Sequence, residues 1–258
     1  MFRNFRAIHI LFRSYIKRDA SNAFSIFMAL LTPLAYSAIF LTQTYLYFQI
    51  NSVPFEDITI EKFYVCLCTN QVIIFLAFDQ NIRALARDTL SSDVDILLMR
   101  PVSLFLYKYF RVISIDRVIM LALYVLGFAV ALAFADVGAD VITRLLLFIA
   151  LAIILLNSVL SIMYGFGILF RDNDKVIRLK ESLTDLTQLK PPEIFPFALR
   201  TGLTFVVPFL VMYGFMFDIV RNRDGETFWA IVAGWTIVAS LLNYYMWRKI
   251  FQRYESTG

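Results

Sequence analysis

VITRLLLFIALAIILLNSVLSIMYGFGILF, residues 141–170, decides the fold. Apart from Thr143 and Arg144 at its start, it runs without a polar side chain to Asn157, and from there to Phe170 only Ser158, Ser161 and Tyr164 carry polar groups. A helix rises about 1.5 Å per residue, so about 20 such residues already cross hydrocarbon roughly 30 Å thick. A helix in a soluble protein keeps a polar face toward water, and this stretch has none.

Working outward, comparable runs occupy 24–50, 60–80, 112–135, 201–220 and 227–247. Hydrophobic residues make up 60% of the 258-residue chain, charged residues 17%, and the mean hydropathy is +0.70, which excludes an ordinary soluble domain. The 26 Phe and 13 Tyr suit lipid-facing surfaces and the headgroup belt. The predicted fold is therefore all-α: a single polytopic membrane domain over 1–258 with six transmembrane helices. The first run follows a charged segment, yet it is too long for a secretory signal and lacks a small-x-small cleavage site, so it is expected to stay as an anchor.

Six crossings put both termini on one side. Of 24 Lys and Arg, only Lys62, Arg144, Arg221 and Arg223 fall on the opposite side, leaving 24 − 4 = 20 with the termini and the segments 79–117 and 171–200. The positive-inside rule makes the termini cytoplasmic. Connections at about 51–59, 136–140 and 221–226 are too short for an external domain. Residues 1–20 set Phe2, Phe5, Ile8, Phe12 and Ile16 on one helical face and Arg3, Arg6, Arg13 and Lys17 largely on the other. That pattern predicts an interfacial helix, against the alternative of a basic flank that only fixes orientation. Within 172–196, Lys175, Arg178, Lys180, Glu181 and Asp185 make a lipid-facing span expensive, so this segment is expected in the cytoplasm.

Catalytic equipment is scarce. No G-x-x-x-x-G-K-[ST] loop and no H-E-x-x-H occurs, and the one histidine, His9, lies in the basic amphipathic segment. Cys66 and Cys68, two apart on a helix, point to different sides and indicate neither a disulfide nor a metal site. Polar residues inside the spans are costly there: Thr42, Gln43, Asn70 and Asn157 are candidates for a transport path, with hydrogen bonding between helices as the competing reading. Asp79, Asp116 and Asp218 fall near predicted span ends, which disfavours an ion-driven carrier. Pro33 and Pro208 permit kinks, and Gly165, Gly167, Gly214 and Gly234 permit close helix approach.

The loop between the second and third spans reads RALARDTLSSDVDILLMRPVS, residues 83–103. Ser92 or Asp93 can cap a short helix ended by Pro101, with Val94, Leu97 and Leu98 on one face. Such an amphipathic peg could enter a partner's groove, whereas the plainer reading is an ordinary cationic loop. Its core, DILLMRPVS (95–103), resembles the L-D-x-L-L-x-R-P-x-S stretch of type-2 ABC transporter permeases, in the subgroup of six-helix subunits encoded separately from their ATPase. PPEIFP (191–196), followed by Leu199-Arg200 and LTFVVPF (203–209), resembles that subgroup's P-L-S-I-F-P, L-R and L-T-F-V-I-P-F segments. WRKIFQRYESTG (247–258) is similar to its W-x-x-G-L-x-R-Y-x-S-x-G ending, with Ile250 in place of the Gly, and the Gly usual before the Leu-Asp pair is absent.

The resemblance implies half of an ATP-driven exporter in the bacterial plasma (inner) membrane. It pairs with a second permease subunit, as a homodimer or related heterodimer, and with cytoplasmic ATP-binding subunits that hold ATP and Mg, so the chain itself is not an enzyme and needs no cofactor. It places the coupling helix within 83–101, with Asp93, Val94, Asp95, Leu97, Leu98, Arg100 and Pro101 as contacts, and the connecting helix within 1–20. The competing classes are a stand-alone channel or secondary carrier, and a membrane-embedded lipid enzyme. The substrate is beyond the sequence.

Overall fold

A computed structural model describes residues 58–91, 115–188 and 190–253, together with separate helical positions between Phe27 and Gln49. The expected interfacial helix at 1–20 and the coupling residues Asp93 to Pro101 lie outside the described residues, as does Gln43.

Helix α1, Ile60–Leu76, starts at Thr59, whose hydroxyl accepts the Lys62 N–H at 3.5 Å, and carries Glu61 in its positive first turn. It stops at Ala77, an extended residue with ψ 132°, and restarts after Phe78 as α2, Asp79–Leu90. Helix α3, Ile115–Phe134, leads through a tight turn to α4, Ala139–Leu169, the stretch quoted first. Asp140 and Arg144 pair across one turn of α4 at 2.8 Å. Helix α5, Asn173–Thr187, is capped by Asp172, which accepts the Lys175 N–H at 3.1 Å. After a 3-10 turn at Pro192–Ile194 come α6, Phe197–Phe205, α7, Phe209–Tyr213, α8, Met216–Val220, and the long α9, Glu226–Arg253.

Among the described residues the regular structure is helical, as expected. Ile60–Leu90, Arg117–Phe134, Ala139–Leu169 and Glu226–Ile250 are long and apolar enough to cross a membrane. The predicted span 201–220 is broken: Phe197–Phe205 and Phe209–Val220 meet at 86°. Pro208 has no N–H to continue α6, and the Val206 and Val207 N–H groups both turn back to the Gly202 carbonyl. The described helices thus supply four spans, or five if the bent pair counts as one.

Helix α4 is the axis of the bundle, with α1, α2, α5, α8 and α9 packed against it. In the most apolar windows of α1 and α4, 61% of residues are buried, against 22% in α3 and 28% in α9, so the latter two form the rim. Their outer faces carry Leu126, Val130 and Phe134 on α3 and Ile237, Leu241 and Leu242 on α9, all exposed as a lipid-facing surface requires. Small residues set the approaches: a Cβ on Gly165 would sit 2.1 Å from Met246 Cε, and one on Gly127 would sit 3.2 Å from Cys68 Sγ.

The two ends of α4 differ. At its start, Arg144 reaches Asp224 and donates to Asn222 Oδ1 at 2.6 Å, while Arg221 pairs with Glu193 at 3.0 Å. Phe63 of α1 packs against Phe217 of α8, so Lys62 belongs to this end too. The four cations assigned from the sequence to one side therefore gather together. The other end holds Arg83, Arg87 and Arg171.

One expectation changes. Segment 172–196 does not stay at the Arg171 end: α5 turns back along α4, with Asn173 against Gly167, Lys180 level with Tyr164 through Asp79, and Glu193 beside Arg221. The apolar face of α5, comprising Val176, Ile177, Leu183 and Leu186, packs on the core, and Lys180 finds a carboxylate there. The ion pair offsets the charge of Lys180, and the apolar contact anchors the helix against the core.

Candidate functional site: a polar seam along the central helix

At the break between α1 and α2 the Phe78 N–H turns to a side chain of another helix. That side chain is Asn157, halfway along α4: its Oδ1 accepts the N–H at 2.8 Å, and its Nδ2 donates to the Ile153 carbonyl at 2.8 Å. One residue beyond the break, Asp79 accepts the Tyr164 hydroxyl at 2.8 Å and Lys180 Nζ at 3.0 Å. Lys180 and Asp79 side chains are about one-fifth exposed, so the pair is stronger than a surface ion pair and still reached by water. Farther along α5, the Thr184 hydroxyl donates to the Lys180 carbonyl at 2.9 Å, and the helix packs against α7. A polar seam thus joins α2, α4 and α5.

On the opposite flank of α4, Ser161 donates to Asn243 Oδ1 at 2.6 Å, Trp247 Nε1 donates to the Ser161 carbonyl at 3.0 Å, and Ser158 meets Ser240 at 3.3 Å. These bonds fasten α9 to α4. In a membrane each such bond adds about 0.6–2 kcal/mol, because the alternative is a polar group in hydrocarbon.

The four path candidates separate. Asn157 is used at the break. Thr42 is exposed and its hydroxyl donates to its own helix at the Ala38 carbonyl, 2.8 Å away. Asn70 is fully buried, and neither its Oδ1 nor its Nδ2, nor the Thr69 hydroxyl beside it, has a hydrogen-bond partner among the described residues. Buried amides without partners are costly, which marks Asn70 as the candidate with unused chemistry. Asp79, Lys180 and Tyr164 carry no local signal of their grouping: Asp79 lies near a predicted span end, and Lys180 is 101 residues away in the chain.

Between α1, α3 and the described positions of the first run lies an apolar cavity of 710 Å³ lined by Leu34, Tyr64, Cys68, Tyr124, Gly127 and Phe134, among others. Among the described residues, no group of three His, Cys, Asp or Glu is placed to hold a metal ion.

Long apolar helices around a polar-seamed axis define a polytopic helical membrane protein. More narrowly, the chain belongs to the ABC-2 family of transporter proteins, whose family profile matches residues 26–258. Members of that family are membrane transport components, not themselves catalytic, and normally work with an ATP-binding subunit. No curated protein and no solved structure matches the chain.

Proposed function

We propose that this chain is the permease subunit of an ATP-driven ABC exporter, forming half of a translocation path and coupling to a separate ATP-binding subunit. The observation that carries the reading is the family match over 26–258, which spans nearly the whole chain. Supporting it, α2 leads in the chain into residues 92–101, and its first residue, Asp79, is bonded to both α4 and α5. A push on the loop would therefore be delivered to the bundle through α2.

In this reading Leu97 and Leu98 make the apolar contact with the ATP-binding subunit, assisted by Val94 and Pro101, and Asp93, Asp95 and Arg100 make the polar one. ATP and Mg belong to that partner. Thr42, Gln43, Asn70 and Asn157 face the path, Asn157 with its amide already engaged at the α1–α2 break. The exposed Glu181, Ser182 and Asp185 of α5 extend the same polar surface, since lipid is a poor solvent for them. A second permease copy or relative closes the path, and the assembly sits in the bacterial plasma membrane with the chain termini in the cytoplasm.

The test is Leu97→Asp, which sets a carboxylate against an apolar groove. Loss of co-purification with the ATP-binding subunit and of stimulated ATP hydrolysis is expected. Unchanged values for both would remove the coupling assignment, and isolation of the native assembly without an ATP-binding subunit would favour a channel or secondary carrier.

A further inference from the structure

At the Arg171 end, α2 and the α4–α5 turn enclose a cleft of 430 Å³. Gln80, Arg83 and Arg87 enter it from one face of α2, and Arg171 and the start of α5 enter from the other side. Among the described residues no carboxylate forms an ion pair with these three arginines. Two acids line the cleft as well. Asp172 is already committed, pairing with Lys175 at 2.8 Å and capping α5, and Lys175 holds its carboxyl below the usual carboxylate range. Among the described residues lining the cleft, only Asp174 offsets the three arginines.

Arg171 occupies a backbone position that favours glycine or asparagine. Its φ is 54°, it follows the last turn of α4, and the Asp172 N–H returns to the Gly167 carbonyl at 2.9 Å, which closes the helix in a left-handed cap. An arginine kept there at a backbone cost points to a use for its side chain. Next to it the apolar residues are exposed: Phe170 is 76% accessible, Leu169 57% and Phe166 48%, with Phe166 and Phe170 stacked at 6.3 Å. Leu90 of α2, itself exposed, lines the cleft beside the arginines.

We propose that this cleft binds the phosphate headgroup of an anionic phospholipid, with the acyl chains lying along Phe166, Leu169 and Phe170. Charge selects the ligand, since three arginines with one unneutralised carboxylate favour an anion, and arginine forks match phosphate oxygens in geometry. The neighbouring apolar surface selects a lipid over a soluble phosphate, because basic pockets between membrane helices at the bilayer edge are placed for headgroups.

The experiment uses the full chain with its ATP-binding subunit, reconstituted in nanodiscs of phosphatidylcholine with or without phosphatidylglycerol. After transfer to detergent, retained lipid is counted by native mass spectrometry. The wild type is expected to retain phosphatidylglycerol over phosphatidylcholine, and Arg83→Gln/Arg87→Gln/Arg171→Gln to lose roughly fivefold in that preference per arginine removed. Arg171→Gly keeps the turn, which glycine favours, and is expected to lose its share of the preference while unfolding no earlier than wild type. Equal retention of the two lipids by wild type, or unchanged preference in the triple variant, overturns the proposal. So does displacement of phosphatidylglycerol by inorganic phosphate at matched concentration, which would assign the cleft to a soluble anion. Loss of the ATP-binding subunit from the triple variant with lipid preference intact would assign it to a protein surface instead.

Discussion

Asn157 shows how a single polar residue can be read two ways. An amide in the middle of an apolar run signals either a path or a helix contact, and the partner decides between them: a backbone N–H exposed by a break in another helix, 79 residues earlier. Asn157→Leu keeps the volume and removes the side-chain acceptor of the Phe78 N–H, so we expect a loss of about 1–3 kcal/mol in unfolding free energy in detergent, measured by denaturant titration. Thr42→Val removes an exposed hydroxyl whose bond among the described residues runs to the Ala38 carbonyl one turn back, and should stay within about 0.5 kcal/mol of wild type. Glycines give a second contrast. A Cβ on Gly214 would lie 3.1 Å from the Leu210 and Lys190 carbonyl oxygens, which move only if backbone moves, whereas nothing lies within 4 Å of one on Gly202. Gly214→Ala should therefore destabilise by about 1–3 kcal/mol. Gly202→Ala, inside α6, should stabilise by about 0.5–1 kcal/mol, and thermal unfolding of the two variants orders them on opposite sides of wild type.

For the elements, the pair that matters is α2 with α5. Lys180→Met leaves Asp79 with the Tyr164 hydroxyl alone in a setting only one-fifth exposed, and Asp79→Asn leaves Lys180 uncompensated. Each single change should cost about 2 kcal/mol, below the 3–5 kcal/mol of a fully buried pair because water reaches the site. The double variant should cost less than the sum, and a double-mutant cycle that finds no coupling would refute the link. The helices themselves were legible in the sequence because uninterrupted apolar length is a strong signal, and α4 was found to within two residues at its start. The break after Leu76 was not legible: Ala77 and Phe78 carry no glycine or proline, and the acceptor that makes the break affordable is Asn157, far along the chain. The bend before Phe209 had a local cause in Pro208, and the sequence did mark it as a possible kink. The return of α5 was hidden for a further reason, since the partner of Lys180, one of the charges that made the segment read as cytoplasmic, is Asp79, far outside the segment.

On the scale of the molecule, α5 presents two faces to two solvents. Its apolar side joins the core, while Glu181, Ser182 and Asp185 remain exposed on the far side, alongside a helix whose own outer residues include Leu147 and Ile154. Both surfaces cannot suit hydrocarbon. A carboxylate held against lipid at the height of the spans would either cost several kcal/mol or take up a proton, so the polar side of α5 must meet water or a second subunit that offers water. This sorts positions by accessibility. In a background with the buried Cys66 and Cys68 replaced by alanine, Ser182→Cys and Asp185→Cys should react with a water-soluble maleimide in membranes, and Leu241→Cys and Ile237→Cys on the outer face of α9 should stay unreacted. Reaction at Ser182 and Asp185 that slows when a second permease subunit is co-expressed would put α5 at the subunit junction. Protection of both positions in the isolated chain, equal to that of Leu241, would mean that α5 is sealed by lipid and that the polar surface is not part of a path.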